Sequence, residues 1–423
     1  MSLTRLIKRT QHRLGPRWMR WLTLGFVAYA LGITAGRALR WPNDWAQIHW
    51  LVTYRFGFRK RALPGELLRQ VGAYDTSEAA VTIINGLSAL LLAVLLLLLL
   101  FICVRVLRLS RYSENGLIVC LLIATSTYVL YSAHLIGYYD HLFQITAIVA
   151  VYAVLRGRWW LAGLLQLPII LVHESYLLVG YPVVVLALWL QHRAAKARRG
   201  MVLVVAGPLV MFAALFGLQQ AFPPGNTAEL AASLQRYDFV LQSNVAEVLQ
   251  NIDRSFLAFL GEQAPYFALR LLSVPPGVLA FVVAGLYIMS RFGDPSRLSS
   301  PVRLAALTAV FVPVALHAIA YDTPRIWVYV GFHMLLVLWM LLETEYVVIG
   351  DDGPSLALML LLVLLVTGSP QQFFFLNPVD DKLYTTRLLL AGHGLFGLGL
   401  LALGSVRALV AGLLSGRPAT EDQ

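Results

Sequence analysis

The chain reads as an all-α, polytopic helical membrane protein, and two observations carry that reading. Mean hydropathy is +0.72, with 59% hydrophobic and only 13% charged residues, a balance outside that of ordinary soluble domains. Apolar runs such as Leu87 to Val106 also reach the ~20 residues that a helix needs to cross a bilayer.

Taken in order, these runs predict about twelve transmembrane helices. They lie near residues 20–36, 79–105, 115–136, 141–156, 158–173, 175–191, 201–219, 268–290, 303–320, 326–347, 355–368 and 388–412. Arg156 and Arg158 mark the turn between the fourth and fifth, and His173-Glu174 the turn after the fifth. The N-terminal segment reads as retained, because its basic stretch is long and no small-residue cleavage site follows the apolar run.

Lys and Arg then orient the spans. Of the 33, twenty fall on the side of the N-terminus and thirteen on the other, seven of the thirteen within the long loop 37–77. This predicts a multi-pass protein of the cell (inner) membrane with a cytoplasmic N-terminus and a face toward the periplasm or exterior. The net charge of +11 is thus a topology signal, and no nucleic-acid partner is expected. Cys103 and Cys120 both fall in apolar spans and provide neither a disulfide framework nor metal-ligand spacing. No repeat or linker divides the chain, so residues 1–423 read as one integral-membrane domain.

Polar residues collect at the predicted outer face: Asp44, Asp140, His173-Glu174, Asp322 with Arg325, and Asp380-Asp381. Charge beside a span is costly, so five such clusters on one face point to a composite site. In the loop 37–77, Asn43 is placed to cap a helix starting at Asp44-Trp45, whose apolar face is Trp45, Ile48, Leu51 and Val52. Pro64 opens a second short helix after the aromatic and basic stretch Tyr54 to Arg61. Both helices are expected to lie flat on the bilayer. Arg55, Arg59 and Arg61 would meet either lipid headgroups or the phosphate oxygens of a lipid-linked substrate. Asp44 either favours its helix dipole, worth about 0.3–1 kcal/mol, or takes a proton from an acceptor hydroxyl.

The turn Tyr138-Tyr139-Asp140-His141 has two readings. Asp140 caps the next helix, or Asp140 and His141 hold a divalent metal or orient a phosphate, with His134 and Gln144 nearby. His173-Glu174 interrupts the apolar stretch Trp159 to Leu190 just after Pro168, and an acid there needs a cationic partner from the same face. No second histidine completes a zinc-protease motif. In Tyr321 to Arg325, Asp322 and Arg325 either pair locally or direct the guanidinium fork at a phosphate. His317 and His333 read as helix–helix hydrogen bonds. The loop 220–267, with Tyr237, Asp238, Asp253, Arg254 and Glu262, is suited to covering a cavity. The loop 369–387 brings Phe373 to Phe375, Asp380-Asp381-Lys382 and Arg387, for sugar stacking or for the interfacial belt.

A first span followed by a long outer loop with an early acid, then a second acid in the next outer turn, resembles the GT-C superfamily of membrane glycosyltransferases. The resemblance covers the layout of roughly residues 20–190, in a body of about eleven to thirteen helices. It implies transfer of a sugar from a polyprenyl-phosphate carrier to a glycan or lipid-linked acceptor, with inversion, at the outer face. Asp44 matches the acid of the first loop, the base or acceptor-orienting group. Asp140 matches the acid of the second outer loop, which binds metal in some members. Arg59, Arg61 and Arg325 would neutralise the leaving phosphate. Two departures stand: the first loop has no Asp-Asp or Asp-Glu pair, and no large soluble C-terminal domain follows.

The expected catalytic set is thus Asp44, Asp140 and Glu174. The expected substrate contacts are Arg55, Arg59, Arg61, Tyr138, Tyr139 and His141, together with His173, Asp322 and Arg325. Competing readings are an outer-face polysaccharide polymerase or ligase, a lipid or solute transporter, and a non-catalytic assembly protein. A polymerase would use more arginines than the Arg236 and Arg254 of loop 220–267. A transporter would use broken helices, for which Pro168 and Pro313 are candidates, but would gather polar groups at the midplane.

Overall fold

The computed structural model describes residues 16–192, 202–222, 225–320, 322–350, 354–368, 372–373, 377–378 and 387–415. Apart from a two-residue antiparallel ladder between Gln372–Phe373 and Asn377–Pro378, its regular elements are helices. The first third contains α1 (Pro16–Ala38), α2 (Asp44–Leu51), a 3-10 turn (Tyr54–Phe56), α3 (Leu63–Gln70), α4 (Ser77–Leu109), α5 (Glu114–Ala124) and α6 (Thr127–His134). Next come α7 (Asp140–Leu155), α8 (Trp159–Val172), α9 (Tyr176–Val179), α10 (Tyr181–His192) and α11 (Gly207–Ala221). A connecting layer follows: α12 (Thr227–Leu234), α13 (Gln242–Asp253), α14 (Phe256–Gln263) and α15 (Phe267–Leu272). The chain closes with α16 (Pro276–Phe292), α17 (Ser300–Phe311), a 3-10 stretch (Val312–Ala318), α18 (Thr323–Glu343), α19 (Pro354–Gly368), α20 (Arg387–Leu400) and α21 (Gly404–Ser415).

Among the described residues five helices, counting α5 with α6, are long and apolar enough to cross a membrane, or seven if two bent pairs each count as one span. The expected number of about twelve is therefore not reached by length. The helices 140–155, 159–172, 181–191 and 355–368 are apolar but only 10–17 residues long, below the ~20 that a straight crossing takes. Three of these, 140–155, 159–172 and 355–368, are close to the short lengths expected from the sequence, with the turn at His173-Glu174 where it was expected; 175–191 is further divided at Gly180.

Burial sorts these helices. In the spans Glu114–His134 and Thr323–Glu343, 94% of the apolar window is inside the protein, against 33% for Ser77–Leu109 and 17% for Val202–Gln219. The first two are the axis of the bundle, and the others turn most of their apolar surface outward, toward lipid if this body sits in a bilayer. α18 packs on α4, α6, α7, α10, α16 and α17, and one hydrophobic core runs continuously from Val27 to Val406.

In the segment between α1 and α4, α2 is packed into the protein and not laid on its outside. Ala46, Gln47, Ile48, Trp50 and Leu51 of α2 are all buried, and Trp50 Nε1 donates to the Gly137 carbonyl at 2.6 Å. The cap itself is as the sequence predicts: Asn43 Oδ1 accepts from Ala46 N at 2.9 Å, and Pro64 sits in the first turn of α3. This segment also touches the α12–α14 layer backbone to backbone. A Cβ on Gly225 would meet the Phe56 carbonyl oxygen at 1.7 Å, and Gly57 has φ +112°, so both positions require glycine.

Candidate functional site

One cavity of about 600 Å³ opens at the end of the bundle where α2, the breaks of α8/α9 and the start of α18 meet. Its polar end holds Arg40, Asn43, His49, Lys60, Arg61, His134, Tyr138, Tyr139, His173, Glu174, Ser175, Asp322, Arg325 and Tyr329. Its apolar wall comes from α11, α14 and the 3-10 stretch after α17, including Phe212, Leu215, Phe216, Phe256, Phe259 and Leu316. On α11 the lining positions 212, 215, 216 and 219 follow helical spacing, so a single face of that helix forms the wall.

Two ion-pair clusters organise the polar end. In the first, Arg61 grips Glu174 with both prongs, Nε–Oε2 at 3.1 Å and Nη2–Oε1 at 2.5 Å, and Lys60 Nζ lies 3.8 Å from the same carboxylate. Arg61 adopts φ +64°, a left-handed backbone that is unfavourable for a non-glycine residue and is held here by the pair. In the second, Arg325 grips the buried Asp140, with Nε–Oδ1 at 2.7 Å and Nη2 on Oδ2. Tyr329 also donates its hydroxyl to Asp140, and Arg325 stacks over the Tyr138 ring at 4.8 Å. Asp322 Oδ2 is 3.6 Å from Arg325 Nη1, while Asp322 Oδ1 is buried and has no hydrogen-bond partner among the described residues.

The histidines between the clusters have opposite polarity. His49 Nδ1 faces the Trp45 carbonyl at 2.8 Å. Burial, reinforced by the cations Arg61 and Arg325, pushes its pKa down to about 4. The neutral ring must therefore donate through Nδ1 and keep Nε2 as an acceptor. His173 Nδ1 instead accepts from Ser175 N at 3.2 Å, so its proton belongs on Nε2. Burial lowers Lys60 to about 8, despite the counter-charge of Glu174, and raises Asp322 to about 6, where Arg325 opposes the rise.

Several expected site residues fall elsewhere. Asp44 does not line the cavity; it accepts from Asn244 Nδ2 at 2.5 Å and so anchors α13. Arg59 is saturated by Asp253 at 2.9 Å, Thr227 Oγ1 at 2.9 Å and the carbonyls of Phe56 and Gly225. It clamps the α12–α14 layer over the cavity and does not line it. Arg55 is exposed over Phe56. His141 is buried, with Nε2 on the Ser132 carbonyl at 2.9 Å, and does not meet Asp140 as a metal pair. Among the described residues no three His, Cys, Asp or Glu side chains are grouped to hold a metal ion. Asp140 stands behind Arg325 and orients it. Asp380-Asp381, Lys382, Phe374-Phe375 and Tyr321 lie outside the described residues, as does the side chain of Arg387.

Other expectations are met. Glu174 has its arginine, and His333 bridges the carbonyls of Ala309 and Val179, whereas both ring nitrogens of His317 are buried without a hydrogen-bond partner among the described residues. Asn251, Phe256 and Phe259 bring the loop 220–267 over the cavity. Residues that the sequence reading passed over are His49, Arg40, Tyr329 and the α11 wall. Only the wall had a legible signal, its spacing within the span 201–219. No protein-family model matches this chain, and no curated protein or solved structure matches it either.

Proposed function

We propose that this protein is a membrane glycosyltransferase. It moves a sugar from a polyprenyl-phosphate carrier to a glycan or lipid-linked acceptor by inverting displacement, at the periplasmic or exterior face. One observation carries this reading: a single cavity joins a polar, cation-bearing end to a continuous apolar wall. A ligand with an anionic phosphate, a hydroxyl-rich sugar and a hydrocarbon tail satisfies both ends at once. Four lining cations, Arg40, Lys60, Arg61 and Arg325, face the carboxylates Glu174 and Asp322, with Asp140 behind Arg325. The surplus is positive, which suits the charge that develops on a departing phosphate. Asn43, His49, His173 and Tyr138 provide donors and acceptors for sugar hydroxyls.

The test is loss of the Arg61–Glu174 and Arg325–Asp140 centres in the native host, using Arg61→Ala and Arg325→Ala at matched protein level. The expected result is a missing surface glycan and accumulation of a polyprenyl-linked sugar. The broken helix at His173 to Ser175 favours a second reading, a carrier of lipid or solute. In that case the variants would alter the sidedness of a lipid or solute and leave no accumulated glycosyl donor.

A further inference from the structure

Asp322 occupies the position before the first turn of α18, where an aspartate ordinarily caps the helix, yet its side chain makes no capping bond. Its ion pair with Arg325 is loose, with Oδ2 3.6 Å from Nη1, while Nε and Nη2 of that guanidinium are committed to Asp140. Its Oδ1 is buried and has no hydrogen-bond partner among the described residues. A buried, unpartnered carboxylate oxygen is costly, and neither of the usual structural roles accounts for it.

The other carboxylates near the cavity are occupied. Asp140 is bound by Arg325 and Tyr329, Glu174 by Arg61 with Lys60 nearby, and Asp44 is turned to Asn244. Of these four acids, Asp322 alone combines a place in the cavity wall with a carboxylate oxygen that has no hydrogen-bond partner among the described residues.

We propose that Asp322 is the catalytic base, the group that takes the proton of the acceptor hydroxyl during transfer. This rests on the glycosyltransferase reading above. The hydroxyl oxygen forms its bond to the anomeric carbon, and its proton passes to the Asp322 carboxylate. The bond from the anomeric carbon to the phosphate oxygen breaks, and the electron pair leaves on the polyprenyl phosphate. The proton on Asp322 is later released to water.

Arg325, Asp140, Tyr138 and Tyr329 are the charged and titratable groups facing Asp322. Burial among them raises its proton affinity to about 6, which leaves it ionised at neutral pH and able to hold a proton briefly.

The experiment uses purified full-length protein in lipid nanodiscs, with polyprenyl monophosphate as the binding probe. Wild type, Asp322→Asn and Asp322→Glu are compared for binding, and for transfer in membranes of the native host. The expected result is unchanged probe binding in all three. Transfer should fall on the order of 10²–10⁴-fold in Asp322→Asn, with partial recovery in Asp322→Glu. Infrared difference spectra between about pH 5 and about pH 7.5 should show a protonated carboxyl band that disappears in Asp322→Asn. Normal transfer by a folded Asp322→Asn, or absence of that band in wild type, overturns the assignment of the base and leaves the wider reading standing. Failure of the wild type to bind the probe overturns both. Melting temperatures of the variants separate misfolding from loss of the base.

Discussion

Arg61 and Glu174, 113 residues apart in the chain, meet in a two-pronged ion pair that joins the loop before α3 to the break between α8 and α9. The pair explains two costs at once. It neutralises a carboxylate inside an apolar run, and it holds Arg61 in a left-handed backbone.

Removing one partner should therefore be worse than removing both. Glu174→Gln leaves Arg61 and Lys60 facing each other without a counter-charge, and should destabilise the protein by about 2–4 kcal/mol, since the pair is only partly exposed. The double variant Arg61→Met with Glu174→Leu should lie closer to wild type. Thermal melting in detergent measures both, and equal losses in the two variants would contradict the argument.

Arg59→Ala should loosen the cover of the cavity without touching its lining. It removes the contacts to Asp253, Thr227 and Gly225, so α12 and α13 lose one of their ties to the first loop. Hydrogen exchange across residues 227–253 should accelerate by at least about tenfold, equivalent to about 1.4 kcal/mol. Exchange that stays at wild-type rates would show that other contacts hold the layer.

Binding of a phosphate-bearing lipid should weaken as the pH rises past neutrality, through Lys60. Burial lowers its pKa to about 8, so its charge is present below that value and lost above it. Glu174, Arg61 and Asp253 are the charges that face it. Affinity for polyprenyl monophosphate should fall about fivefold between about pH 7 and about pH 9, on the order of 1 kcal/mol. Lys60→Gln should bind weakly at both values. A wild-type affinity that is flat with pH would remove Lys60 from the phosphate site.

Asp322→Asn should raise stability while abolishing transfer. The folded pKa of about 6 lies above the ordinary 3.8, so ionised Asp322 works against the folded state. That penalty is absent below the unfolded value, grows between about 4 and about 6, and is complete above the folded value. The variant should melt higher at about pH 7.5, by on the order of 1–3 kcal/mol, with a smaller gain at about pH 5. A lower melting temperature at both values would mean that the carboxylate is structural.

Asp44→Asn should lower transfer by less than about tenfold, well short of the loss of a general base. Its carboxylate holds Asn244 and does not line the cavity, so the effect should come from the seating of α13. A loss as deep as that of Asp322→Asn would return Asp44 to the chemistry.

The extent to which the site was legible in the sequence follows from the range of each signal. Glu174 announced itself because a carboxylate in an apolar run has no local excuse, and its need for an arginine was equally readable. Asn43 and Pro64 act within one helical turn, so their effects appeared as expected. Arg59, by contrast, sat in the same basic stretch as Arg61, two positions away, and nothing local distinguishes a clamp from a site residue. His49 was hidden among the apolar positions of α2, and its polarity is set by the Trp45 carbonyl and by cations from distant segments.

The amino-acid sequence by itself determined the all-helical, apolar character of the body, the caps that start several helices, and the gathering of costly charges at one end. Those properties arise from composition and from interactions within a few residues. Only the tertiary structure decided which apolar runs are long enough to cross a membrane. It also decided that α2 is buried, that Asp140 pairs with Arg325 instead of His141, and that Asp322 keeps a buried oxygen without a hydrogen-bond partner among the described residues. The physical reason is that pairing and desolvation depend on distance in space, and partners separated by 113 or 185 residues leave no trace in local pattern.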